Sequence, residues 1–286
     1  DYISHILPEL GEEHILEMSF DLFAYKELKE VANDCEDRYD YLEKKMKFQD
    51  SEWEIRFKEK QSASFIGQME GFLAMLEEDL VNIRSFTFKG FDKTEEEIIH
   101  LFYFKFQTVP LLARMDAVME YLIDEYETLR GKNISEEDME ALRETFQKMY
   151  VTTDLYEIYG WLLKDCGYPE LSNAEYERRK LEYEDVFPML YLKYRLKGSR
   201  KHKNIKHLVI DEMQDYSYLQ YSILSMLFHC RMTILGDRAQ TMDSECQDVT
   251  KFLPKIFGRK IRKIVMNKSY RNTLEIAEYA ERIRGG

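Results

Sequence analysis

Proline and glycine are scarce, 5 and 12 in 286 residues, which argues against long low-complexity or disordered stretches and for an ordered, mostly helical chain. The four cysteines, Cys35, Cys166, Cys230 and Cys246, lie far apart without a Cys-x-x-Cys pair; no disulfide framework is expected, and a reducing cytoplasm fits. Long apolar runs are missing too. The longest, Leu101 to Met115, is broken by Lys105, Gln107 and Arg114, so it falls short of the roughly 20 apolar residues that span a bilayer. The opening Asp1-Tyr-Ile-Ser-His shows neither a basic stretch nor an apolar one with a small-residue cleavage site, and no signal peptide is expected in it. Basic charge is in the minority, with 41 Lys and Arg against 54 Asp and Glu, the reverse of what a protein held by nucleic-acid phosphates usually carries.

That balance is uneven along the chain. Residues 1–200 hold 26 basic and 44 acidic residues, a net of −18, whereas residues 201–286 hold 15 and 10, a net of +5. The shift falls at Lys197-Gly-Ser-Arg-Lys-His-Lys-Asn204, which reads as a solvated loop and a candidate boundary. The acidic excess reads first as a water-facing helical surface and second as a face able to dock on a basic protein channel.

Residues 30–200 read as successive helices. Phe65, Ile66, Met69, Phe72, Leu73 and Leu76 recur at helical spacing. Thr94-Glu-Glu-Glu97 is a capping box and Ser135-Glu-Glu-Asp138 a weaker one. A long helix is expected from Pro110 to Leu129, ended by Gly131, and others over 155–164 and 183–196, the last interrupted at Pro188. Beyond residue 204 the period changes. His207-Leu-Val-Ile210, Met232-Thr-Ile-Leu235 and Ile264-Val-Met266 read as strands, alternating with helices over 217–228, 249–257 and 272–283, a pattern that predicts a covered parallel sheet. At the start, residues 2–10 read as a helix and 14–20 as a strand, which would join the same sheet, with a helical segment interposed.

Polar residues follow each of these strands. Asp211-Glu-Met-Gln-Asp215 comes directly after Ile210, and ligands of parallel α/β sheets bind outside the carboxyl ends of strands. An Asp there suits Mg²⁺, and the adjacent Glu suits a water attacking a γ-phosphate. Gly236-Asp-Arg-Ala-Gln240 and Asn267-Lys-Ser-Tyr-Arg271 follow the second and third strands. One acidic pair after a strand is commonplace; three such constellations in succession are not.

These stretches resemble a known family. Residues 208–215 are similar to motif II of superfamily 1 helicases, 236–240 to motif III, and Ser269-Tyr-Arg-Asn272 to motif IV. Tyr183-Glu-Asp-Val-Phe-Pro-Met-Leu-Tyr-Leu-Lys193 and Tyr2-Ile-Ser-His-Ile-Leu-Pro-Glu-Leu-Gly11 resemble the HelD branch, RNA-polymerase-associated relatives of UvrD and Rep. The resemblance implies an α/β fold with an incomplete RecA-like (P-loop NTPase) parallel sheet and a large inserted all-helical domain. Residues 1–24 and 205–286 would form the partial motor domain (1A, entering 2A), and 25–204 the inserted 1B-like arm. It implies ATP and Mg²⁺ as cofactors, Asp211 as metal ligand and Glu212 as hydrolytic base. Gln214 and Gln240 would sense the γ-phosphate, Tyr270 would stack on adenine, and Arg271 would contact the γ-phosphate; Asp215 and Asp237 are candidates for structural roles.

The departures are equally plain. No Gly-x-x-x-x-Gly-Lys-Ser/Thr loop is present, and Gly131-Lys-Asn133 lacks the first glycine, the hydroxyl and a leading strand. The chain therefore looks like an internal fragment of such a motor and is itself expected to be inactive. After Gln240 comes Thr-Met-Asp-Ser-Glu, where helicases bring aromatics that stack on single-stranded DNA. Three functions compete: an ATP-driven motor that remodels or releases RNA polymerase, a UvrD/Rep-type DNA helicase of repair or replication, and a non-enzymatic helical interaction module. RNA polymerase is the first expected partner and DNA the second; no membrane is expected.

Overall fold

The computed structural model describes residues 17–47, 51–199, 202, 204–236, 249–258, 261–266 and 279. Helix α1 (Phe20–Leu28) opens on Ser19, whose hydroxyl accepts the Leu22 N–H. The helices α2 (Arg38–Lys47), α3 (Ser51–Lys60), α4 (Ala63–Asp79) and α5 (Glu95–His100) follow. Next come α6 (Arg114–Arg130), α7 (Glu136–Gln147), α8 (Leu155–Asp165), α9 (Tyr183–Lys197), α10 (Tyr218–Leu227) and α11 (Val249–Phe257). Strands β1 (Asp34–Cys35) and β4 (Lys180–Leu181) pair in parallel, β2 (Phe86–Phe88) and β3 (Phe91–Lys93) form a hairpin, and β5 (His207–Ile210) runs parallel to β6 (Arg231–Ile234). The molecule is thus mixed α/β with short parallel pairings.

Local chemistry accounts for most boundaries. The box at Thr94 closes in both directions, with Glu97 N–H on the Thr94 hydroxyl and Thr94 N–H on the Glu97 carboxylate. Ser135 caps α7 and Gly131 ends α6 in the left-handed region at φ 63°. Pro110 precedes one 3₁₀ turn, Leu111–Ala113, before α6 begins. Helix α9 is buried on nearly every side, Pro188 included, as a helix with no polar stripe must be. It packs against α1, α3, α8 and α10, so Leu219, Ile223 and Leu227 of α10 share the main core with α4, α6 and α8. A smaller core joins Ile210, Tyr221, Leu224, Val249, Phe252 and Leu253.

Three expectations are corrected. Residues 17–19 are not a strand and Phe20 starts a helix, because Ser19 caps it and Asp21 favours its first turn. Residues 264–266 form no strand, and Ile264, Val265 and Met266 are exposed rather than covered as members of a parallel sheet would be. The segment 25–204 is not all helical, since it holds the hairpin and the β1–β4 pair. Its helix α5 also continues into a π-helical turn, Leu101–Lys105. The helix expected over 2–10 and the strand over 14–16 lie outside the described residues.

The interior of the helical part contains charge. Lys60, 1% exposed, donates to Glu184 Oε1 and Asp185 Oδ1, both at 2.7 Å, and the Tyr159 hydroxyl donates to Asp185 Oδ1 at 2.5 Å. Glu184 and Asp185 sit in the first turn of α9, where the helix dipole also favours negative charge. Burial raises the Glu184 pKa, with Lys60 the chief opposing influence.

Candidate active-site loop

Strand β5 ends at Ile210, whose carbonyl accepts the Leu235 N–H at 2.8 Å; the Leu235 carbonyl in turn accepts the Met213 N–H at 2.8 Å. The loop after β5 is therefore folded over the end of β6, bringing residues 211–215 and 235–236 together. Asp211 and Glu212 are exposed at the carboxyl end of the strand pair. Asp211 Oδ1 accepts the Glu212 N–H at 2.9 Å, and the Gln214 side-chain amide donates to Glu212 Oε2 at 2.6 Å. Glu212 itself is left-handed, φ 50° and ψ 53°, a conformation costing a non-glycine residue about 1–2 kcal/mol and characteristic of functional turns. It leads into a 3₁₀ turn, Met213–Asp215.

The turn is tied down from several sides. The Tyr221 hydroxyl donates to the Met213 carbonyl at 3.0 Å. Ser217 caps α10 in a full capping box with Gln220. Asp215 is paired with Arg38 at the start of α2, Nη1 to Oδ2 2.9 Å, and that bond raises the Arg38 pKa. The Tyr216 ring lies 6.1 Å from that of Phe20 in α1, and burial raises its hydroxyl pKa.

Gly236 is the steric keystone of this corner. A Cβ there would stand 2.3 Å from Met213 Cγ, 2.7 Å from Gln214 Oε1 and 2.8 Å from the Met213 backbone nitrogen. The last contact is with backbone, so a side chain at 236 must push the whole loop away. Gly236→Ala is expected to cost about 1–3 kcal/mol and to expose the Met213 amide, as thermal unfolding and amide exchange would show.

Of the residues marked by sequence, Asp211, Glu212 and Gln214 lie together on the loop after β5, linked by hydrogen bonds. Gln240, Tyr270 and Arg271, with Asp237, lie outside the described residues. Among the described residues no group of three or more His, Cys, Asp or Glu side chains is arranged to hold a metal. The pair Asp211–Glu212 instead has the donor set of an ion that keeps most of its waters. Mg²⁺ is commonly held in this way, by one or two carboxylates plus phosphate oxygens. Sequence reasoning missed Arg38 and Gln61. Gln61 accepts the Ser217 hydroxyl on Oε1 at 3.2 Å and the Leu219 N–H on its carbonyl at 3.2 Å, and no local pattern announces a partner more than 150 residues away.

Two carboxylates and a glutamine on the loop at the carboxyl end of a parallel strand pair, packed against Gly236 after the next strand, make up the candidate site. The family model of the UvrD/REP helicase N-terminal domain matches residues 4–242, most of the chain, and the protein belongs to that family. No curated protein matches the chain. The family is one of ATP-dependent superfamily 1 helicase-like proteins, and no described helix is long and apolar enough to cross a membrane.

Proposed function

We propose that the chain carries the metal-binding and water-activating part of a HelD-like motor that remodels or releases RNA polymerase. In this reading Asp211 holds Mg²⁺, Glu212 takes the proton of the attacking water, and Gln214 orients Glu212 through the 2.6 Å bond between them. Gln240, Tyr270 and Arg271 would complete the nucleotide contacts. The ATP phosphates need a cradle that these residues do not supply, so turnover requires a Gly-x-x-x-x-Gly-Lys-Ser/Thr loop acting with them.

The observation that favours RNA polymerase over duplex DNA is the sign of the helical exterior. Glu95, Glu96, Asp124, Glu136, Glu137 and Glu140 are all exposed on α5, α6 and α7, within a stretch whose net charge over 1–200 is −18. Such a surface repels phosphates and is attracted to a basic protein channel. The immobilised protein is expected to retain RNA polymerase from a purified mixture and to bind duplex DNA weakly, with little salt dependence. DNA binding that falls steeply with salt, with no polymerase retained, would favour a UvrD/Rep-type DNA helicase instead.

A further inference from the structure

We infer that Arg38 and Gln61 are positioning residues through which the helical segment sets the geometry of the Asp211–Glu212 pair. The inference rests on the reading of that pair as the metal and water site. The loop from Asp211 to Ser217 is short, and its fixed points divide into two groups. One group is internal to the α/β part: the Met213 N–H on Leu235, the Tyr221 hydroxyl on Met213, and the Ser217–Gln220 box. The other comes wholly from the helices before residue 62.

In that second group, Arg38 at the first turn of α2 bonds Asp215, three residues after Glu212. Gln61, directly after α3, reaches both Ser217 and Leu219, which sets where α10 starts. Gln61 is itself buried, and its side-chain amide donates to the Glu184 carbonyl at 3.2 Å, beside the Lys60 network. Two ties therefore reach the acidic loop from the helices: one runs from Lys60 through Glu184 and Gln61 to Ser217, the other from Arg38 to Asp215. A force that shifts α2 or α3 relative to β5 must stretch these bonds before it disturbs the strand pair. Glu212 sits in a left-handed conformation that the surrounding structure must maintain. Loosening its far end at Asp215 lets it relax toward an ordinary backbone geometry and swing its carboxylate away from Asp211.

The inference is tested on the 286-residue protein by amide exchange of residues 212–217 in Arg38→Gln, Asp215→Asn and the double variant. The pair is half exposed, and such bridges change local equilibria by about two- to fivefold. Each single variant is expected to speed exchange of those amides by that factor, and the double variant by no more than either single one. The charge-swapped pair, Arg38→Asp with Asp215→Arg, is expected to restore protection. Exchange in α8 should not change. Unchanged exchange at 212–217, equal acceleration throughout the molecule, or additive effects in the double variant would each overturn the inference. Mn²⁺ binding followed by electron paramagnetic resonance separates this from the reading beneath it. Weaker binding in both single variants supports the coupling. A parent protein that binds no Mn²⁺ counts against the metal-site reading, while the exchange result still decides whether the helices hold the loop.

Discussion

Replacing Lys60 by methionine is expected to lower stability by about 3–5 kcal/mol, the range found when one partner of a buried ion pair is removed. In a domain of this size that corresponds to a fall of roughly 10 °C in Tm. Methionine fills much of the same volume, so the loss comes from charge rather than from a cavity. Lys60 lies between two carboxylates at 2.7 Å, and without it Glu184 and Asp185 remain buried side by side. Arg56 does not substitute, since its Nε stands 3.8 Å from Glu184 Oε1, beyond hydrogen-bond reach.

The loss should depend on pH. Burial already holds the Glu184 pKa above its ordinary 4.5, and removing the chief opposing influence raises it further. A carboxyl whose folded pKa exceeds its unfolded value adds stability that is fully present below the unfolded value and lost as pH rises through the folded one. The difference in stability between the parent and Lys60→Met is therefore expected to be smaller near about pH 5 than near about pH 8. Denaturant unfolding at the two pH values checks this. A loss independent of pH would mean that packing, not charge, sets the effect. Neutralising the partners as well, with Glu184→Gln and Asp185→Asn, should recover much of the stability, because hydrogen-bonded neutral groups avoid the buried unpaired charge.

The second large effect concerns chemistry. Phosphoryl transfer is catalysed almost wholly by positioning and charge neutralisation, and the 286 residues contain no loop to hold the β- and γ-phosphates. The polypeptide of residues 1–286 is expected to show no ATP turnover above background. With a phosphate-binding loop supplied, Glu212→Gln should reduce turnover by a factor on the order of 10² to 10⁴, the usual contribution of a general base. Nucleotide binding should survive, because the substitution leaves Asp211 in place. The Gln214 amide can still donate to the new side-chain oxygen, so the loop geometry should also persist. Asp211→Asn differs in kind: it weakens the metal site and keeps an acceptor for the Glu212 N–H.

How much of this was legible in the sequence differs from feature to feature. The acidic loop was readable because Leu208 to Ile210 is a short apolar run with acids directly behind it, and strand-end carboxylates have a positional meaning. Thr94 and Ser135 announced two helix starts through side-chain chemistry that acts within three residues. The helix start at Phe20 was missed because its signal, a serine cap followed by Asp21, is only two residues long. The hairpin at 86–93 had a signal that went unused, Lys89-Gly90 between two aromatic stretches, and both residues adopt the positive φ of a tight hairpin turn. The ties from Arg38 to Asp215 and from Gln61 to Ser217 had none. They join residues 177 and 156 apart, and only the packing of α9 against its neighbours brings them within reach.

Nucleotide hydrolysis by the Asp211–Glu212 pair is the central claim. The measurement that bears on it most directly is Mg²⁺-dependent ATP turnover by a polypeptide in which a phosphate-binding loop accompanies residues 1–286, alongside its Glu212→Gln variant and the 286-residue chain alone. Turnover is predicted in the first, a loss of at least about a hundredfold with nucleotide binding retained in the second, and none in the third. Turnover indifferent to Glu212→Gln, or hydrolysis by the 286-residue chain alone, would contradict it.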